Sequence, residues 1–273
     1  MRIALVYSTR DPAGSGAARI LAGMLGCSGP RAVDGRLVSL HDCGSTLLAG
    51  FSDDIIYLDY VDDYLGDWEA YVFLSRHSSA SGRPTLSIHH TGNPCSEAPY
   101  GGKPRSLAVA YPRLAALLLR EYRRAALEMG LLGEYQLTLE ATHHGPTEPA
   151  RPLVFIEIGS REEQWRDRRA QEAMAEAVYR ALQASPPACT PVVGVGGTHY
   201  PETHTRLMLD KGYCYGHIFA KYTFDCIDEE IVRMAVERSA DRIEGFIVLK
   251  AKSRVKKIVS RVAEELGLWV SRP

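Results

Sequence analysis

The chain has 273 residues, 45% hydrophobic and 24% charged, with a formal net charge of −1 at pH 7. That length gives one large domain or two small ones with ample chain for a buried core. The near-neutral balance excludes a protein that coats nucleic acid through a global basic field, while leaving room for a local basic patch. Cys27, Cys43, Cys95, Cys189, Cys214 and Cys226 form no C-x-x-C pair, and a chain of this size needs no disulfide staples. They are therefore expected to be reduced and mostly buried, in a cytoplasmic protein. The N-terminus "MRIALVYSTRDPAGSG" reads as a first strand rather than a signal peptide, and no apolar run approaches a membrane span.

In chain order, "RIALVYS" (2–8) predicts a buried strand and "AGSGAARILAGMLG" (13–26) a helix after a tight turn. "DDIIYLDY" (53–60), "AYVFLSRHS" (70–78) and "TLSIHH" (85–90) are strand-like, with the continuous apolar character of a sheet covered on both faces. "TGNPCSEAPYGGKPRS" (91–106) is a long loop, of a length more often functional than idle. "PRLAALLLREYRRAALEMG" (112–130) predicts a helix with Pro112 in its first turn and Gly130 at its stop. Strands follow at 136–141 and 152–159. Ser160 and Glu163 read as a capping box opening a helix to about 184. Strands at 190–197 and 245–251, a short strand or loop at 217–222, and helices at 228–239 and 253–267 complete the pattern. Alternating strands and helices predict an α/β fold with a largely parallel sheet.

The polar clusters all follow predicted strands: His89 and His90, His143 and His144, Ser160, and "GGTHYPETHT" (196–205). In an open α/β sheet, ligands sit outside the carboxyl ends of strands, so distant loops meet there. A single loop histidine is ordinarily bonded to backbone carbonyls. Seven of the nine histidines, however, fall in 77–90, 143–144 and 199–204, which favours a shared site. Adjacent imidazoles bind metal or move protons well, and Glu202 between His199 and His204 adds a carboxylate, although the spacing matches no H-E-x-x-H helix. Gly101–Gly102 and Gly196–Gly197 are tight turns or places where backbone N–H groups meet an anion. "GSGAAR" is one glycine short of a dinucleotide fingerprint and reads as a helix start. Lys250, Lys252, Arg254, Lys256, Lys257 and Arg261, like Arg120, Arg123 and Arg124, read as solvated helix faces or phosphate-gripping patches. No nucleophile elbow, P-loop or kinase signature is present, so activated water is the natural attacking group.

"TLSIHHTGNPCSEAPYGGKPRSLAVAYP", "TLEATHHGPTEPARPLVFIEIGSREEQW", "VGVGGTHYPETHT" and "GHIFAKY" resemble, in order, the archaeal- and plant-type D-aminoacyl-tRNA deacylases, and they cover most of residues 70–222. One departure is the doubling of His89 and His90 where the family motif carries a single histidine. The resemblance implies a three-layer α/β/α core (71–273), similar to phosphorylase and peptidyl-tRNA hydrolase folds, with an extra N-terminal α/β part (1–70). It also implies hydrolysis of the ester between a D-amino acid and the 3′ end of tRNA, zinc dependence, and a monomer. Under that resemblance the expected catalytic residues are His143, His144, His199 and Lys221. The expected metal ligands are His89, His90, His199, Glu202 and His204, and the expected substrate-binding residues are Asn93, Gly101, Gly102, Glu140, Ser160, Gly196, Gly197 and Tyr222. Competing readings are a nucleosidase or phosphorylase on a similar fold, a non-catalytic tRNA-binding module, and a metal-dependent amidase acting on small D-amino-acid derivatives.

Overall fold

The structure is a computed structural model describing residues 1–273. β1 (Ile3–Ser8), buried at every position, leads to Asp11, whose carboxylate accepts from the amides of Ala13 and Gly14 and so caps α1 (Pro12–Leu25). β2 (Leu37–Asp42) and β3 (Thr46–Phe51) then form an antiparallel pair that the apolar pattern did not suggest. The strand expected at 53–60 is instead a 3₁₀ turn over Ile55–Tyr57, followed by α2 (Asp62–Leu65). Buried Ile55, Leu58, Val61 and Leu65 recur at three and four residues, the spacing of a helical turn rather than of a strand.

β4 (Ala70–Ser78) and β5 (Thr85–His89) follow, then the 91–106 loop, pinched by β6 (Gly92–Asn93) and β7 (Ser106–Leu107). Next come α3 (Pro112–Glu128), β8 (Gln136–Leu139) and β9 (Leu153–Ser160). Ser160 ends β9 rather than opening a helix. Arg161 stands at the N-cap of α4 (Glu162–Trp165), its amide held by the Gln164 side chain, and Asp167 separately caps α5 (Arg168–Gln183). The chain closes with β10 (Thr190–Val195), α6 (Glu202–Asp210), β11 (Tyr213–Phe219), α7 (Glu229–Glu237), β12 (Gly245–Val248), α8 (Ser253–Leu266) and β13 (Trp269–Ser271).

The larger sheet has seven strands in the order β2-β3-β1-β4-β9-β5-β8, and a four-stranded sheet runs β11-β10-β12-β13. The smaller sheet is wholly parallel, as expected. In the larger one β3, β1, β4 and β9 are parallel, but β5 and β8 run opposite to β9. The reason is the connection: residues 79–84 between β4 and β5 are too few for a parallel crossover, which takes a dozen or more. β1, β2 and β3, from the first 70 residues, are thus hydrogen-bonded into the same sheet as β4 and β9.

The molecule is a mixed α/β fold whose large sheet is flanked by helices. α1, α3 and α5 pack on one face of it. α3 also touches β10 and β11 of the second sheet, which is why Leu114–Leu119 are all buried and not only one stripe. α7 and α8 cover the outer side of the smaller sheet. All six cysteines are paired, Cys27–Cys43, Cys95–Cys226 and Cys189–Cys214, which corrects the expectation of free thiols. Each pair joins segments that only the folded chain makes neighbours, so spacing along the sequence carries no sign of them. No helix is long and apolar enough to cross a membrane.

Candidate active site: a buried histidine–carboxylate centre

Strand alternation builds the site. On the helix-covered face of the large sheet lie Val72, Leu74, Leu86, Ile88, Val154, Ile156 and Ile158. The opposite face begins apolar, with Tyr71, Phe73, Leu153 and Phe155. Continuing along that face by twos gives Ser75 and His77 on β4, Glu157 on β9, Ser87 and His89 on β5, and Thr138 then Glu140 from β8. One face therefore changes from apolar to polar where four adjacent strands meet. The cluster sits over the sheet rather than beyond one common carboxyl edge, because β5 and β8 run against β4 and β9. His143 and His144 enter from the loop after β8, and His199 from the loop after β10. His144 adopts a left-handed backbone, φ 41°, a cost that a non-glycine residue bears here while its ring sits in the cluster.

Glu140 and Glu157 are buried, so their charges need partners. Glu140 Oε2 lies 2.9 Å from His199 Nε2, 3.1 Å from His77 Nδ1 and 3.6 Å from His143 Nε2. Glu157 Oε2 lies 3.4 Å from both His77 Nδ1 and His89 Nε2. Burial opposes a charge on His77, but Glu140 and Glu157 outweigh it and push the ring up to about 12. His77 is thus an imidazolium between two carboxylates, with Nε2–H donating to Tyr200 Oη at 2.8 Å. Burial likewise opposes charge on His89, and Glu157 raises it. In return, against burial, His77 holds Glu140 well below the usual carboxylate range, and His89 and His77 bring Glu157 down to about 2.

His143 and His144 behave oppositely. Burial lowers both, His144 to about 4, and the neighbouring imidazoles lower them further. His143 Nδ1–H donates to Ala141 O at 2.8 Å, His144 Nδ1–H to Gly145 O at 2.6 Å, and His89 Nδ1–H to His90 O at 3.3 Å. With Nδ1 so committed, His143 and His144, held neutral, keep a bare Nε2, while His89 turns its Nε2 toward Glu157 Oε2. His89, His143 and His144 offer ligand atoms within 4.8 Å of one another, and their ring centroids stand 4.3–4.9 Å apart. Three imidazoles, each tied through one nitrogen to a carbonyl, are the donor arrangement of a histidine-bound metal. His89 Nε2, Glu140 Oε1 and Glu157 Oε2 lack hydrogen-bond partners despite burial, as atoms reserved for a cation would. A second set, His77, Glu140, His143 and His199, overlaps the first at His143.

Asp54, Ile56, Arg76, Tyr100, His143 and His199 are among the residues lining the pocket above the centre, a cavity of about 340 Å³. Glu157 and His77 belong to the centre although neither was assigned a role from the sequence, where His77 entered only the count of clustered histidines. Their signal was a carboxylate amid the apolar run "LVFIEIG" and a histidine at the end of "YVFLSRH". Of the expected metal set, His89 and His199 are in the centre and three residues are not. His90, turned the other way by alternation, donates to Gly216 O and accepts from the Tyr111 amide. Glu202 takes a bond from Gln136, and His204 is buried edge-on to Tyr215. Ser160 faces the helix side, with its hydroxyl on Arg83 O. Asn93 spends its amide on Gly101 O and Lys103 O, and Lys221 lines a separate pocket with Gly197 and Thr198.

The glycines serve chain packing. A Cβ on Gly101 would lie 1.9 Å from Ile56 O, and one on Gly196 would lie 1.9 Å from Leu249 O. The Gly102 and Gly196 amides, expected to face an anion, are committed to Asp59 Oδ2 and Phe219 O. Tyr222 does reach the centre, with Oη 3.3 Å from His199 Nδ1.

Residues 65–271 match the family model described as D-aminoacyl-tRNA deacylase. The chain is 51% identical over 277 residues to the D-aminoacyl-tRNA deacylase of Hyperthermus butylicus, covering 99% of this chain and all of that one. It is 42% identical over 278 residues to that of Aeropyrum pernix, covering 99% of each. Among solved structures, a conserved protein of unknown function, AF0625, superposes with a TM-score of 0.91 at 36% identity, covering 98% of this chain and 94% of the other.

Proposed function

Because the chain belongs to the D-aminoacyl-tRNA deacylase family, we propose that it hydrolyses the ester joining a D-amino acid to the 3′ end of tRNA, in the cytoplasm, with zinc at the histidine–carboxylate centre. The observation that carries this reading is the convergence of five imidazoles and two buried carboxylates beneath one open pocket. An aminoacyl ester is already activated, so its cleavage asks for a base, charge stabilisation and a held carbonyl.

His89, His143 and His144 would hold the ion through their Nε2 atoms, His89 giving up the proton it shares with Glu157. A zinc ion there would supply Lewis acidity and make water more acidic. The chain's own groups do the remaining work. Glu140 accepts the Nε2–H of His199 at 2.9 Å, which leaves His199 Nδ1 facing the pocket and Tyr222 Oη. His199 Nδ1 takes a proton as water adds to the ester carbonyl, and Glu140 stabilises the imidazolium that forms. The same imidazolium then returns the proton to the departing ribose oxygen. His77 stays charged and fixes Glu140 in place. Arg76, a pocket-lining cation paired with Asp54 at 2.6 Å, is placed to balance negative charge at the substrate.

The test is to incubate D-tyrosyl-tRNA and L-tyrosyl-tRNA with the protein, with and without a chelator. Release of the D-amino acid alone, abolished by chelation and restored by zinc, supports the reading. Equal release of both, or none, overturns it.

A further inference from the structure

Five large apolar side chains are half or more exposed: Val33, Tyr57, Tyr100, Leu127 and Tyr222. Scattered singly, such residues need no explanation. Three of these five are tyrosines, and they ring one opening. Tyr100 lines the pocket, Tyr57 follows pocket-lining Ile56 and packs beside Gly101, and Tyr222 reaches His199 from the far side. The backbones that carry Tyr57 and Tyr100 are held firmly. The Tyr57 amide donates to Asp54 O between buried Ile55 and Leu58, and Tyr100 O accepts from the Gly145 amide at 3.0 Å. Asp59 binds the Gly102 amide, and through its other oxygen the amides of Thr147 and Glu148. A rigid wall thus presents two rings, 50% and 64% exposed, to solvent at the rim.

We propose that Tyr57 and Tyr100 are a stacking platform for the unpaired bases at the 3′ end of tRNA, beginning with the adenine of the esterified nucleotide. This rests on the tRNA-ester reading above. The ester must lie among the imidazoles and carboxylates at the pocket floor, so the nucleotides attached to it leave across the rim. Unpaired bases are held by aromatic faces in a sequence-tolerant way, each face changing affinity by roughly tenfold or more. That tolerance suits an enzyme whose substrates share only their 3′ terminus.

The experiment uses the full chain and two double variants, Tyr57→Ala/Tyr100→Ala and Tyr57→Phe/Tyr100→Phe. The alanine pair is expected to raise KM for D-tyrosyl-tRNA about tenfold or more with kcat little changed, and the phenylalanine pair to match wild type. D-alanyl-tRNA is expected to show the same fold loss. A loss confined to D-tyrosyl-tRNA would mean that the rings hold the amino acid, and would overturn the proposal. Uncharged tRNA carrying 2-aminopurine as its terminal base gives a second readout independent of cleavage: stacking quenches its fluorescence in wild type and the phenylalanine pair, not in the alanine pair. Equal quenching by all three, or none by wild type, overturns the platform. Failure of wild type to cleave any D-ester would instead sink the functional reading, with the quenching still deciding the platform.

Discussion

His89 and His90 are consecutive residues with different fates, and two regions of the molecule are built around that difference. In the centre, His89, His143 and His144 each bond a carbonyl through Nδ1 and turn Nε2 into the cluster, away from the backbone. In the neighbouring region, His90 and His217 spend both nitrogens. His90 bridges Gly216 O and the Tyr111 amide, and His217 bridges Ala108 O and the Thr142 hydroxyl. Burial keeps His90 and His217 neutral, at about 4 and about 3, so they act as rigid two-ended hydrogen-bonding struts. Burial alone does not mark a functional histidine; a nitrogen left over after the backbone is satisfied does.

The comparison can be broken most forcefully at the centre. His143→Ala, His199→Ala and Glu140→Gln should each lower kcat for D-aminoacyl-tRNA by about a thousandfold while tRNA affinity survives. Single-turnover rates and filter binding measure the two, and a kcat within tenfold of wild type would remove that residue from the mechanism. On metal content, the purified protein should carry about one zinc per chain, lost in His144→Ala and kept in His217→Ala. Elemental analysis that finds zinc lost from both variants would erase the distinction between the regions.

Acid should act on the histidines that burial keeps neutral. His204, lowered to about 4, and His217, at about 3, accept protons in the unfolded chain near 6.5 but not in the native one. Between those values the unfolded state binds more protons, so their contribution to stability is complete above about 6.5 and falls as pH drops toward 4. The loss is on the order of several kcal/mol for the pair. Urea unfolding across pH 7 to 4 measures it, and His217→Leu should flatten the slope. An unchanged slope would mean that His217 takes up its proton equally in the folded and unfolded chain. Smallest of all, His217→Ala at neutral pH should cost about 1–3 kcal/mol, because Ala108 O loses its donor and Thr142 its acceptor, while kcat per folded molecule changes little.

Much of the centre was legible before folding. The motifs around His143, His144 and His199 carried the family resemblance, and Glu140 was expected at the substrate. What escaped notice depended on facing. A period of two along "YVFLSRH" and "LVFIEIG" sends His77 and Glu157 to one face, but which face matters only once β4 and β9 are known to be neighbours. The same limit assigned His90 and His204 to the metal, since loops give no register. The hairpin of β2 and β3 was missed although β3 is largely apolar, because its two short strands show no clean alternation, and the turn at Ile55 because a short apolar run suits a strand as well as a helix. The six residues between β4 and β5, by contrast, could have announced the reversed strands.

Cys95 lies five residues before Tyr100, and Cys226 four after Tyr222; their disulfide closes a span of 131 residues. The two lips of the entrance are therefore buckled together covalently. The aperture behaves as a fixed gauge and not as a jaw: whatever enters is measured against a gap set when the buckle closed.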